Sequence, residues 1–278
     1  MTHRHQTGLN YRMPYGFGPS AGPRQGPDGK GFATDTWGRR VTISTSFLTD
    51  PAALEPLLPP RFELAGEPVV TVDLAVLTEL SWLAGRGYSI LNVRFPACYR
   101  GKDETVTGHF LSVLWENKPD PIITGREELG YAKLFCDLPP PRIAGDRVSA
   151  IALWEGHQFA ELELTDLTEG SKVLPAVPGL PGQKSDGVLH YKYIPDTGAW
   201  GTSAVEHACL SPAGAKVEVV RIQRGKGRVR FMPTTWEQIP TQYHVISALA
   251  ALPQLEPREA FVTEVLGGGD LSDQRKLG

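Results

Sequence analysis

Cysteine is scarce in this sequence: three residues among 278, widely spaced and odd in number. That excludes a disulfide frame and reads as reduced thiols at Cys98, Cys136 and Cys209, as in a cytoplasmic protein. The cysteines show no metal-ligand spacing among themselves, and only His207 lies close to one of them, so no metal site is expected. Long apolar runs are missing as well. The longest, Val69 to Leu77, is broken by Asp73 and is far too short to cross a bilayer, so no membrane partner is expected. The opening MTHRHQTGLNYRMPYG lacks the apolar core of a signal peptide. Neither sign of charge dominates: 28 Lys and Arg stand against 31 Asp and Glu, which gives no reason to expect a nucleic-acid partner. What is there, 41% hydrophobic and 21% charged residues, suits a chain with a sizeable core.

Residues 1–37 are rich in Gly and Pro and carry no apolar period, so they read as an extended arm that packing alone would order. Within the arm, Gly18-Pro-Ser20-Ala-Gly22 spells a hydrolase nucleophile elbow. That elbow needs a strand before it and a helix after it, and neither is plausible there. Order begins near Arg40, where Val41, Ile43, Thr45 and Phe47 alternate with polar residues. Asp50-Pro51 opens a short helix that ends at Pro59-Pro60. Strand-like runs follow at 69–79, 88–99, 108–116, 148–154, 158–164 and 187–193, and Glu155-Gly156-His157 is a hairpin turn. Thr124-Gly-Arg-Glu127 has the form of a capping box and predicts a helix start. The basic cluster from Arg221 to Arg230 contains Gly225 and Gly227 and predicts a hairpin tip between 217–222 and 228–231. One longer helix is expected from Thr241 to Leu252, with Val245, Ile246 and Leu249 on its apolar face. Without repeats or α/β alternation, this is one mostly β (α+β) domain over 38–265, with a few short helices and a flexible tail at 266–278. Hiding the edges of so many strands favours a barrel.

One residue stands out. In Gly130-Tyr131-Ala132-Lys133-Leu134-Phe135-Cys136 a single ammonium sits among apolar and aromatic neighbours. Either Lys133 points to water from a half-exposed strand, or it is desolvated so that it is partly neutral and nucleophilic near pH 7. Gly125-Arg126-Glu127, five residues and then Lys133 resembles the acetoacetate decarboxylase family, in which a GRE turn precedes the lysine that forms a Schiff base. The resemblance extends over Arg40 with Thr49-Asp50 and Ala53-Leu54, over Tyr88 to Gly101, and over His244 to Pro253. It implies a closed, cone-shaped antiparallel β-barrel, a homo-oligomer, and a lysine that condenses with a ketone. The protonated imine then takes the electrons of a breaking C–C bond, so no cofactor is needed. This family is itself an established case of a lysine activated by desolvation or by a neighbouring cation.

The resemblance assigns Lys133 as nucleophile, Asp73 as the surviving acid that handles protons, and Arg40 as the cation for a substrate carboxylate. Tyr131 reads as a wall of the pocket, and Tyr243, at the start of the last helix, is either a substrate-side proton donor or a core tyrosine. Two departures stand beside these matches. Leu134 replaces the family's second lysine, and Ile90 falls where the family has an active-site glutamate. Three functions follow: a β-keto acid decarboxylase, a Schiff-base aldolase-dehydratase on the same scaffold, or a non-catalytic small-molecule binder. Lys133 in apolar company speaks against the binder, which would do better with an uncharged residue. The expected partner is a small keto acid.

Overall fold

The computed structural model describes residues 5–33, 38–175, 178–180, 182 and 184–278. The fold is mostly β. The first half holds β1 (Arg39–Leu48), α1 (Pro51–Leu54), β2 (Phe62–Leu64), β3 (Val69–Leu80), β4 (Arg86–Arg100) and β5 (Thr105–Glu116). A short α2 (Pro119–Thr124), a π-helical turn (Gly125–Leu129) and β6 (Lys133–Phe135) follow. The second half comprises β7 (Arg142–Ala144), β8 (Arg147–Trp154), β9 (His157–Glu169), β10 (Gly187–Pro195), β11 (Ser203–Pro212) and β12 (Val217–Phe231). It ends with α3 (Tyr243–Ala250), β13 (Glu256–Gly267) and β14 (Arg275–Lys276). None of the described helices is long and apolar enough to cross a membrane.

The strands form one sheet in the order β14-β11-β10-β5-β4-β3-β1-β13-β12-β9-β8-β7, with β2 on β4 and β6 on β5. Most pairs are antiparallel, but β10 and β6 each run parallel to β5. Among the described residues this path has two ends, β14 and β7, so the ladders there do not close the barrel expected from the sequence. Just beyond β6, an isolated antiparallel bridge joins Asp137 to Leu153 of β8, with N–H···O distances of 2.8 and 3.0 Å. Because β6 is already on β5, that bridge links the two halves of the sheet at one point.

Strand alternation separates two environments. On β4, Leu91, Val93 and Phe95 enter the main core with Val72, Leu74, Trp115 and Leu162, while Ile90, Asn92 and Arg94 face a cavity. On β5, Trp115 is fully buried in the core and hydrogen-bonds Gln242 at the start of α3, whereas Leu114 and Glu116 face the cavity. α3 therefore packs on the core side, away from the cavity.

Asp50 caps α1 as expected, its carboxylate accepting from the Ala52 N–H at 2.9 Å. Three expectations are corrected. The segment 217–231 is one continuous strand, pairing β13 with its first half and β9 with its second. Gly225 and Gly227 mark no turn: a Cβ at Gly227 would stand 2.5 Å from Thr45 Oγ1, so the glycine is there for close strand packing. Nor does Thr124 cap a helix. It lies inside the helical run that began at Pro119, and its hydroxyl donates to the Pro121 carbonyl at 3.3 Å. The tail at 266–278 is docked, with β14 paired to β11 and Leu277 buried.

Candidate active site

Lys133 is placed by three local features. Pro119 and Pro121 start α2, the next five residues widen into a π-helical turn, and Gly130 ends it at φ +80°. The chain then reverses, and β6 lays Lys133 beside Leu114 of β5. Gly125 is required by the lysine itself: a Cβ there would stand 2.2 Å from Lys133 Cε and 2.5 Å from Nζ. Arg126 of the same turn donates to the Lys133 carbonyl at 2.8 Å. The lysine side chain is 10% exposed, which excludes the water-facing strand position.

The ammonium is not alone. Lys133 Nζ donates to Glu116 Oε1 at 2.7 Å and to the Pro121 carbonyl at 3.0 Å, and it lies 5.9 Å from the centre of the Tyr131 ring. Glu116 is fully buried, and its second oxygen, Oε2, has no hydrogen-bond partner among the described residues. Burial pushes the Lys133 pKa down, against the attraction of Glu116, and Arg24 adds a small push in the same direction. Burial pushes the Glu116 pKa up, against the attraction of Lys133. Each group is thus drawn toward its neutral form.

Both groups face a cavity of about 510 Å3 whose wall also carries Arg40, Asp73, Asn92, Arg94 and Tyr131. Asp73 accepts from Arg94 at 3.0 Å and from the Ser44 hydroxyl at 2.5 Å, and it makes no hydrogen bond or ion pair with Lys133. Arg40 is exposed to the cavity and makes no hydrogen bond or ion pair with a described residue. Crowding by protein lowers its pKa, which Asp73 opposes and Arg94 reinforces. Two guanidinium groups and one carboxylate leave this wall with an excess positive charge. Tyr131 stacks on His190 with ring centres 4.0 Å apart and hydrogen-bonds Ser211 through its hydroxyl. Burial raises its pKa to about 12, so it stays a neutral wall near pH 7.

The structure thus brings together four of the five residues expected from the sequence: Lys133, Asp73, Arg40 and Tyr131. It leaves out Tyr243, which is partly exposed at the start of α3 and stacks edgewise on His244. The reason is the two-faced sheet, since α3 covers the core side. Glu116, Arg94 and Arg24 are the groups that sequence reasoning missed. Glu116 ends an alternating run and looks like a strand-end charge, and only the parallel pairing of β6 with β5 brings it to the lysine. Arg24 arrives from the N-terminal arm, where it and Arg12 both pair with Glu128 of the π-helical turn. Arg24 also reaches the Asp270 carbonyl at 3.1 Å, tying arm and tail together beside the site. Among the described residues no group of His, Cys, Asp and Glu could hold a metal ion.

Comparison with known proteins agrees with this geometry. The acetoacetate decarboxylase (ADC) family profile matches residues 12–261. An acetoacetate decarboxylase of Clostridium botulinum is 27% identical over 158 residues, covering 51% of this chain and 61% of that relative. Among solved structures, an acetoacetate decarboxylase from Legionella pneumophila aligns with TM-score 0.61 at 19% identity, covering 87% of this chain and 86% of its own. The enduracididine biosynthesis enzyme MppR, complexed with pyruvate, aligns with TM-score 0.62 at 16% identity, covering 91% and 95%. The same enzyme complexed with the condensation product of pyruvate and imidazole 4-carboxaldehyde gives TM-score 0.60 at 17% identity, covering 92% and 97%. At these identities the solved structures speak for the fold.

Proposed function

The chain belongs to the acetoacetate decarboxylase family, and from that premise we propose that it is a lysine Schiff-base lyase that decarboxylates a β-keto acid. The observation that carries this reading is Lys133, a buried amine lining the same cavity as Arg40, a guanidinium without a hydrogen bond or ion pair to a described residue. The neutral amine of Lys133 attacks the ketone carbon, and loss of water leaves a protonated imine. Its C=N bond accepts the electron pair released as the C–C bond to the carboxylate breaks and CO2 leaves. The enamine that remains is protonated at carbon, and hydrolysis returns the lysine and a ketone.

Arg40 takes the substrate carboxylate on this reading. Asp73, the acid expected to handle protons, fixes the orientation of Arg94 through its ion pair and so shapes the same cationic wall. Tyr131 and Ile90 keep the imine dry. A cavity of about 510 Å3 lies within the ~300–1,000 Å3 that small-molecule sites span. A keto acid larger than acetoacetate therefore fits. The same proposal takes a small keto acid as partner and a homo-oligomer as the assembly.

The second reading is a Schiff-base aldolase-dehydratase, in which the enamine attacks an aldehyde before hydrolysis. The spare volume favours it, and so does the condensation product held by MppR, a protein of the same fold. A panel of β-keto acids decides between them. The decarboxylase releases CO2 without added aldehyde, and Arg40→Ala raises its KM for the acid. No CO2 from any of the panel, with an unsaturated product from pyruvate plus an aldehyde, establishes the second reading instead.

A further inference from the structure

Resting on the Schiff-base reading, we propose that Glu116 is the proton-transfer group of this site, acting on both the lysine and the carbon next to the imine. Three geometric observations carry it. Glu116 Oε1 is 2.7 Å from Lys133 Nζ, so a proton passes between them without crossing solvent. Its carboxylate is fully buried, yet Oε2 has no partner among the described residues although the residue lines the cavity. A buried carboxylate oxygen left unpaired costs stability unless something else is bound there. The third observation concerns the alternatives. Asp73 is occupied by Arg94 and Ser44, and Tyr131 by Ser211, so neither has a comparable free oxygen facing the amine.

Glu116 also sits directly opposite Ile90 in the β4–β5 ladder. A carboxylate expected on one strand is absent there, and one stands on the next strand at the paired position. The raised pKa of Glu116 and the lowered pKa of Lys133 suit such an exchange, because burial favours the neutral amine and neutral acid together.

The steps balance as follows. The Lys133 ammonium gives its proton to the Glu116 carboxylate, leaving an amine and a carboxylic acid. The amine nitrogen bonds to the ketone carbon, the carbonyl π pair moves to oxygen, and a proton passes from nitrogen to that oxygen. Glu116 protonates the hydroxyl, which leaves as water, and the nitrogen lone pair forms the C=N bond. An iminium then faces a carboxylate, with no net charge gained. The carboxylate removes a proton from the adjacent carbon, the C–H pair becomes a C=C bond, and the C=N pair returns to nitrogen. Running this last step backwards protonates the enamine at carbon; after loss of CO2, when Glu116 is still a carboxylate, it first takes the proton from solvent water and then delivers it.

The test uses the full-length chain and pyruvate in D2O, following deuterium entry into the methyl group by NMR, with borohydride trapping of the imine in parallel. Wild type should do both. Glu116→Gln should still be trapped at Lys133 but lose exchange by about 100-fold or more, the usual range for a positioned acid–base. Ile90→Glu added to Glu116→Gln should restore exchange by returning the carboxylate to the paired position. Exchange at the wild-type rate in Glu116→Gln overturns the proposal, and so does a double variant that is trapped but does not regain exchange. If Glu116→Gln does not fold, Glu116→Asp is read in the same way: exchange must slow more than trapping, and equal slowing overturns the proposal. Absence of trapping in wild type strikes the Schiff-base reading itself, which keeps the two failures distinct.

Discussion

Gly125→Ala puts one methyl group where the structure has no room for it. The new Cβ would stand 2.2 Å from Lys133 Cε and 2.5 Å from both Cδ and Nζ, whereas ordinary contact begins at 3.4 Å. The end of the lysine must therefore move by about 1.2 Å, or the π-helical turn must move by as much; misplacing a reacting group by ~1 Å can cost about 100-fold in rate. The backbone permits alanine, since Gly125 has φ −70°. The fold should survive with a loss of about 1–3 kcal/mol, the usual cost of overpacking. Moving Nζ also breaks its bonds at 2.7 Å to Glu116 and 3.0 Å to Pro121. The assay is the rate of imine trapping at saturating keto acid, with the thermal midpoint measured on the same sample. A folded variant trapped about 100-fold more slowly supports the reasoning. Trapping at the wild-type rate would refute it, since the lysine would then have space that the structure denies.

Lys133→Ala leaves Glu116 buried without its counter-ion. Its folded pKa is then raised with nothing to oppose burial, so the fold binds the proton better than the unfolded chain does. The pH-dependent part of the stability deficit relative to wild type should be smallest at pH below the unfolded carboxyl value and grow as pH rises, by at most about 1.4 kcal/mol per pH unit; a deficit independent of pH between 5 and 8 would contradict this. The amine of Lys133 should react with a 1,3-diketone at lower pH than an ordinary lysine, because burial lowers its pKa. The rate should rise with pH and level off below the ordinary lysine value near 10.5, and a midpoint at that value would count against desolvation. Cys98, Cys136 and Cys209 are free and buried, and burial raises the Cys209 thiol to about 11. A thiol reagent at neutral pH should find none of the three in the native protein and all three after unfolding; fewer than three after unfolding would show a disulfide.

The strands were legible wherever one face is core and the other is polar, as in β1, β4 and β5, because the period of two is imposed locally. The helix cap at Asp50 was legible for the same reason. Lys133 could be singled out because its chain neighbours are apolar, although of these Tyr131 alone also lines its cavity, while Leu134 packs on the core and Phe135 is exposed. Glu116 could not, since its role depends on two registers: its pairing opposite Ile90, and the parallel approach of β6 to β5. Neither register leaves a mark in the local sequence. Gly225 and Gly227 were misread for a related reason. Glycine serves a turn or a close crossing equally well, and here the crossing partner, Thr45, lies far away in the chain. Whether Tyr243 served the site or the core could not be read, because the sequence does not say which side of the sheet a helix covers. The arm could be read only as unstructured by itself, and its anchors on Glu128 are contacts of long range.

The central claim is that Lys133 forms an imine with a keto acid, and reductive trapping tests it most directly. Wild-type protein is incubated with a β-keto acid or pyruvate, reduced with borohydride, digested and weighed by mass spectrometry. The account predicts one added mass equal to the reduced adduct, on the peptide that carries Lys133, and none in Lys133→Ala. An adduct that persists in that variant, or wild-type protein that carries none with any acid of the panel, would contradict it.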